Sequence, residues 1–350
     1  MPMLAELVDV VIGVDTHKHT HTAAIVLAAT GAVLAEKTVS TDPVGYAELI
    51  ELARAHGEVR AWALEGSGGY GAGLAAELAA GDELVVELDR PTRPRRRAGA
   101  KSDPIDAIRA ARDALARSQL GAPRSGPERA ALQILLATRR AAVEAGAQAQ
   151  NQLQALVVTA PEPVRARFRG QNTRAMLAAA LRLRPTRTAG VETFTALSAL
   201  KAIARRIRTL ETEAAHHEKA IRAIVVSWRP DLLTLTGVGP IVAATVLAAW
   251  SHPGRCRHDA AFAMLAGTAP IPASSGQTVR HRLNRSGDRQ LNRAMHTVVR
   301  TRLRHDPATR TYADRRRSQG KTDREIRRCL TRYVTRQLYR QLESTPPTTP

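Results

Sequence analysis

Short β-branched runs open the chain. Val10–Val14 (VVIGV), Thr22–Leu27 and Val33–Val39, the last after a glycine turn, predict a three-strand meander. The period then changes. In Asp42–His56, Tyr46, Leu49, Ile50 and the Leu52–Ala53 pair fall on one helical face. Val59–Leu64 returns to a strand ending at Glu65, the glycine-rich EGSGGYG turns the chain, and Ala72–Ala80 predicts a helix. Glu83–Leu88 predicts another strand, followed by a basic loop (Arg90–Lys101) and a helix from about Asp103. Three strands in series, then helix, strand, helix and strand, is the order of an α/β RNase H-like (RuvC-like) domain.

From Pro127 to Val226 the pattern turns helical, with breaks around Ala160–Arg174 and Arg184–Glu192. Leu132, Leu135–Leu136, Val143, Ile203, Ile207 and Leu210 recur at spacings near three and four, as in packed helices or a coiled coil. A helical connector that also serves as an oligomer contact is expected here. A mainly α domain then runs from Trp228 to Leu342, and Glu343–Pro350 (ESTPPTTP) reads as a disordered tail. The expected organisation is therefore 9–125, 126–227, 228–342 and a tail at 343–350, with no internal repeat.

Composition narrows the function classes. No run of about 18 uninterrupted apolar residues occurs, and Met1–Asp9 lacks the basic and apolar regions of a signal peptide, so a cytoplasmic protein with no membrane partner is expected. The two cysteines, Cys256 and Cys329, have no metal-ligand spacing and no nearby partner. The net charge is +20, which points to a polyanion such as nucleic acid. Ser251–Pro350 holds 21 basic and 7 acidic residues, a net +14. Genomic base bias explains arginine over lysine, but not that asymmetry.

Four acids carry the candidate chemistry. Asp15 ends the first strand, in GVDTHK, and Glu65 ends another, before glycines that let a bulky substrate backbone approach. A lone acid after a strand is also an ordinary turn residue. Asp103 and Asp106, in KSDPIDA, share one face at a helix start. Asp103 before Pro104 also serves as an N-cap, and Asp106 as a first-turn acid. Four convergent oxygen ligands suit Mg²⁺ or Mn²⁺, and two such ions clamp the attacking and leaving oxygens of a phosphodiester displacement. His17, His19 and His21 alternate and read as strand-edge residues more than as a zinc site, while His17 and Lys18 face the carboxylates and their phosphates.

In the last domain, LLTLTGVGPI followed by AATVL reads as helix, hairpin, helix, with Gly237 and Gly239 aiming backbone N–H groups at a DNA phosphate. A plain helix-turn-helix packing corner is the alternative. Downstream, Ser274, Ser275 and Gly276 lie in a loop followed by Arg280, Arg282, Arg285 and Arg289, suited to holding a phosphodiester. No His or Asp near the serines makes an obvious base. Aromatics at 3% argue against base-stacking single-strand modules.

GVDTHK, ALEGSGGYG, KSDPIDA, TGVGPIVA, APIPASSG and RSGDRQLNRAM, in this order, resemble the DEDD-type bacterial insertion-sequence transposases of the IS110 family and the related Piv DNA invertases. The resemblance spans nearly all of Val10–Leu342. It implies a RuvC-like domain whose DEDD acids are Asp15, Glu65, Asp103 and Asp106, a coiled-coil connector, and a C-terminal transposase domain whose nucleophilic serine falls at Ser275, with Ser274 its neighbour. It further implies excision and insertion of DNA through a transient serine–DNA linkage, a structured guide RNA encoded by the element, and dimers or tetramers. RSGDRQLNR departs from the commoner K-x-G-N-x-x-L-R pattern at Asp288 and Asn292. Two rival readings need fewer parts: a RuvC-like endonuclease that hydrolyses branched DNA with water, and a catalytically silent nucleic-acid-binding protein.

Overall fold

The computed structural model describes residues 3–88, 102–118, 120–274, 276 and 281–344. The chain divides into two compact units, Met1–Ser125 and Gly126–Pro350.

The first unit is built on β1 (Val10–Thr16), β2 (Thr20–Leu27), β3 (Val33–Ser40), β4 (Arg60–Glu65) and β5 (Leu84–Leu88). They form one sheet in the order β3-β2-β1-β4-β5, antiparallel from β3 to β1 and parallel from β1 to β5. Alternation along the strands sorts the two faces. Val10, Ile12, Val14, Trp62 and Leu64 face α1 (Pro43–Arg54) and α2 (Ala72–Ala80), while Val11, Ala61, Ala63 and Val86 face α3 (Asp103–Ala116). The second face is lined with small residues. Ala107, Ala110, Ala111 and Ala114 of α3 are buried, so this helix lies close on the sheet.

The second unit begins with α4 (Pro127–Thr159), α5 (Glu162–Arg165), α6 (Thr173–Leu181) and α7 (Val191–Trp228). α4 and α7, 33 and 38 residues long, pair antiparallel: Arg139 meets Glu218 at 2.8 Å, Gly146 packs on Leu210, and Leu153 shares a core with Leu200. At 1.5 Å per residue they extend about 50 and 57 Å. α8 (Pro240–Trp250) is buried along most of its length, packed against α4, α7 and α10 (Arg289–His305), and α9 (Asp259–Leu265), α11 (Pro307–Ser318) and α12 (Asp323–Glu343) complete the unit. Leu132, Ile221 and Val225 of the long pair belong to the same core as Val242, Leu247 and Val298. The connector and the C-terminal helices therefore share one core.

Two expectations change in detail. The segment before Gly237, read as a helix, is only the 3-10 turn Pro230–Thr234, because α7 ends at Trp228 and Leu235 is already extended. Glu343, placed in the tail, is the last residue of α12, and its carboxylate accepts from Trp250 Nε1 at 2.7 Å and Gly254 N at 3.0 Å. Residues 345–350 lie outside the described residues.

Candidate functional site

Asp15 and Glu65 stand at the C-terminal ends of neighbouring parallel strands. The last paired positions are Val14 and Leu64, so the two acids follow at matching height. Both have the parity of the α3 face. The strand ends are tied together, since Thr16 Oγ1 donates to the Glu65 carbonyl at 3.2 Å and a Cβ on Gly71 would come 3.0 Å from Thr16 Cγ2. The glycine loop after Glu65 thus returns to the end of β1. Gly66 adopts φ +72, a conformation that favours glycine.

The helix brings the other acids. A Cβ on Gly13 would lie 2.0 Å from the Ala107 carbonyl oxygen and 2.5 Å from Ala111 N, so the α3 backbone rests directly on β1. From Gly13 to Asp15 the strand advances about 6.6 Å. From Ala107 back to Asp103 the helix advances about 6 Å. One turn of helix and two residues of strand therefore end level, and their acids meet. Asp103 does not cap α3, as its position before Pro104 suggested. Ser102 is the N-cap residue, and Asp103 is the first residue of the helix.

His17 completes the cluster. Its Nε2 lies 3.1 Å from Asp15 Oδ2 and 3.5 Å from Asp103 Oδ1, and one ligand atom from each of the three falls within 4.8 Å of the others. Asp15 is mostly covered, at 19% side-chain exposure, whereas His17 and Asp103 are about half exposed, at 47% and 51%. Two carboxylates and an imidazole converging on one point form a donor set that fits a divalent cation. Asp106, three residues along α3, accepts from Arg109 Nη1 at 2.9 Å, and neither it nor Glu65 belongs to this tight group.

The structure thus brings together Asp15 and Asp103, sets Glu65 at the neighbouring strand end and Asp106 three residues along α3, and joins to them His17, which the sequence offered both as a strand-edge residue and as one facing the carboxylates. Its signal was present in the parity of Asp15 and His17, two apart along one strand direction. The other histidines differ. His19 is exposed in the β1–β2 turn. His21 is fully buried on β2 and stacks on Tyr46 at 5.8 Å, and burial pushes its imidazole below the usual pKa.

Lys18 is exposed in the turn beyond His17. In the second unit, Gly237 (φ +84) has Val298 O 3.1 Å from where its Cβ would stand, and Gly239 is the exposed N-cap residue of α8. Ile271 and Pro272 (β6) pair antiparallel with Arg282 and His281 (β7), two short strands the hydrophobic pattern did not reveal. They bracket the serine loop. Ser275 and Arg280 lie outside the described residues. Arg282, Arg285 and Arg289 are exposed. The two motif departures have structural work: Asp288 Oδ1 accepts from Gln290 N and Leu291 N to cap α10, and Asn292 Nδ2 donates to the Ala266 carbonyl at 2.8 Å. Among the described residues no helix is long and apolar enough to cross a membrane.

Two family models match the chain: the IS110-type DEDD transposase model over residues 12–160, and the transposase model of the IS116/IS110/IS902 family over residues 230–314. An uncharacterised 43.6 kDa protein of insertion element IS110 from Streptomyces coelicolor is 39% identical over 94 residues, 27% of this chain and 23% of the relative. An uncharacterised 42 kDa protein of insertion element IS900 from Mycobacterium paratuberculosis is 32% identical over 168 residues, 42% of each. The matched regions span less than half the length of these relatives.

Proposed function

This chain belongs to the IS110 family of transposases, and from that premise we propose that it cleaves and rejoins DNA to move an insertion sequence. The convergence of Asp15 and Asp103 at the end of β1, with Glu65 and Asp106 beside them, carries the proposal. The sheet order and its strand directions support an RNase H-like, RuvC-like reading of the first unit. These acids would hold Mg²⁺ or Mn²⁺, which would offset charge developing on the phosphodiester oxygens. The glycines after Glu65 leave room for a DNA backbone, since nothing lies within 4 Å of a Cβ placed on Gly66 or Gly68.

The Ser275 hydroxyl displaces one strand from the phosphorus, forming a serine phosphodiester. The departing strand leaves with the serine proton as a free hydroxyl end. A hydroxyl of a second strand reverses the displacement and returns the proton to serine. Arg282, Arg285 and Arg289, with Arg280, Lys18 and the Gly237 and Gly239 backbone, contact nucleic-acid phosphates. Partners implied with this reading are donor and target DNA, a structured guide RNA from the element, and further copies of the chain as dimer or tetramer.

Asp15→Asn and Glu65→Gln are expected to keep the fold and DNA binding while abolishing Mg²⁺-dependent strand cleavage, because each keeps its shape and loses the charge that holds the ion. Unchanged cleavage in both would remove the acids from the reaction. A denaturation-resistant protein–DNA adduct is expected in the wild type and in Ser274→Ala, and not in Ser275→Ala. Sequencing RNA that copurifies from the host tests the guide: one defined transcript encoded beside the gene is expected, against a random sample of cellular RNA.

A further inference from the structure

We propose that His17 is itself a ligand of the divalent ion, an imidazole donor added to the carboxylates, and that it biases the site toward Mn²⁺ over Mg²⁺. The inference rests on the reading above that Asp15 and Asp103 hold such an ion.

Distances carry it first. His17 Nε2 lies 3.1 Å from one carboxylate oxygen and 3.5 Å from another, contributed by a strand end and by the first turn of a helix. One ring nitrogen carries at most one hydrogen, so it cannot donate well to both carboxylates at once. Donor atoms about 2.1 Å from an octahedral ion stand about 3 Å apart at adjacent positions. The observed spacings of 3.1 and 3.5 Å match adjacent positions around a shared cation.

His17 is also held in place by its own backbone. Its N–H donates to Thr20 O at 3.1 Å and its carbonyl accepts from Thr41 Oγ1 at 3.4 Å, so the β1–β2 turn and the residue after β3 fix both backbone groups. A half-exposed histidine on a fixed backbone, with its nitrogen aimed between two acids, is arranged as a ligand. An imidazole among oxygen donors matters chemically because Mg²⁺ prefers oxygen and gives up water reluctantly, whereas later divalent ions bind imidazole more readily.

Mn²⁺ binding to the full-length protein, followed by electron paramagnetic resonance without any DNA, tests this apart from catalysis. Spin-echo modulation from a directly bound imidazole nitrogen is expected in the wild type and should vanish in His17→Ala and His17→Asn. Mn²⁺ affinity should fall at least about tenfold in both, the scale on which losing even a ligand's outer hydrogen-bond partner acts. Mg²⁺ affinity, measured by competition, should fall less. Unchanged circular dichroism will show that these half-exposed substitutions leave the fold intact. If Mn²⁺ binds and is lost in Asp15→Asn, but no nitrogen modulation appears and His17→Ala binds as the wild type does, the histidine is only a neighbour and the carboxylate reading stands without it. If Mn²⁺ does not bind the wild type at all, both fall together.

Discussion

Gly13 shows how one atom can decide whether the acids meet. A methyl group there would sit 2.0 Å from a backbone oxygen and 2.5 Å from a backbone nitrogen of α3, neither of which can swing aside as a flexible side chain would. Gly13→Ala must therefore lift the helix from β1 and carry Asp103 away from Asp15. The expected cost is about 1–3 kcal/mol of stability, typical of overpacking a closed interface. Divalent-ion binding should weaken with it. Gly68→Ala is the matched control: nothing lies within 4 Å of its added methyl and its φ is not positive, so both properties should hold. Thermal melts with and without Mn²⁺ on the two variants check this, and a Gly13→Ala protein as stable and as Mn²⁺-responsive as the wild type would contradict it.

At the scale of elements, a buried ion pair just after α7 is hydrogen-bonded to the end of α12. The Arg229 guanidinium, 2% exposed, donates to both oxygens of Asp231 at 2.8 and 2.7 Å and to the carbonyls of Leu342, at 2.9 Å, and Gln341. Burial pushes the Asp231 carboxyl up, but hydrogen bonds from Arg229 and Gln341 outweigh it and hold the group below its usual range. The unfolded chain takes up that proton near pH 3.9, so the pair's contribution is full well above that value and is lost as pH falls through it and then through the folded value. Arg229→Met leaves a buried carboxylate without its counter-charge, held only by the Gln341 amide at 2.7 Å, and should cost about 3–5 kcal/mol near neutral pH. The deficit should narrow on acidification, because protonating Asp231 relieves it. Chemical unfolding at pH 7 and pH 4 measures both arms, and a deficit independent of pH would argue against the pair as its origin. This staple illustrates what the pattern of residues could and could not convey. Strand alternation and helical periodicity depend on neighbours in sequence, so β1 to β5 and α1 to α3 were readable there. Arg229 with Gln341, Glu343 with Trp250, and His17 with Asp103 join residues far apart in the chain. They become visible only once the helices are packed. The Asp103 cap was misread for a related reason: Ser102 and Asp103 are both good capping residues, and local preference does not choose between them.

Over the whole molecule, the net charge of +20 describes a capacity for polyanions, while the second unit shows which cations are available to use it. α10 buries Leu291, Met295, Val298 and Val299 and turns Arg289, Arg293, Arg300 and Arg304 to solvent, with no acidic residue on the helix. None of the four is ion-paired among the described residues. On α12 the situation is different, since Arg332 and Arg336 are both engaged by Asp259. A phosphate contact from α10 therefore displaces only water and counterions, whereas one from Arg336 must first break an ion pair. Affinity for duplex DNA should fall steeply between about 50 and 200 mM salt, by a factor set by the number of phosphates neutralised. Arg293→Gln with Arg300→Gln should lower the slope of log affinity against log salt by about 1–2, and weaken binding to unrelated sequences by similar factors. Their melting temperature should stay unchanged. Arg336→Gln should leave the slope close to that of the wild type, since its charge is already compensated. Fluorescence-anisotropy titrations across the salt series, on two duplexes of unrelated sequence, separate these outcomes. An unaltered slope in the α10 double variant would show that this stripe is a solvated face and that the phosphate contacts lie elsewhere.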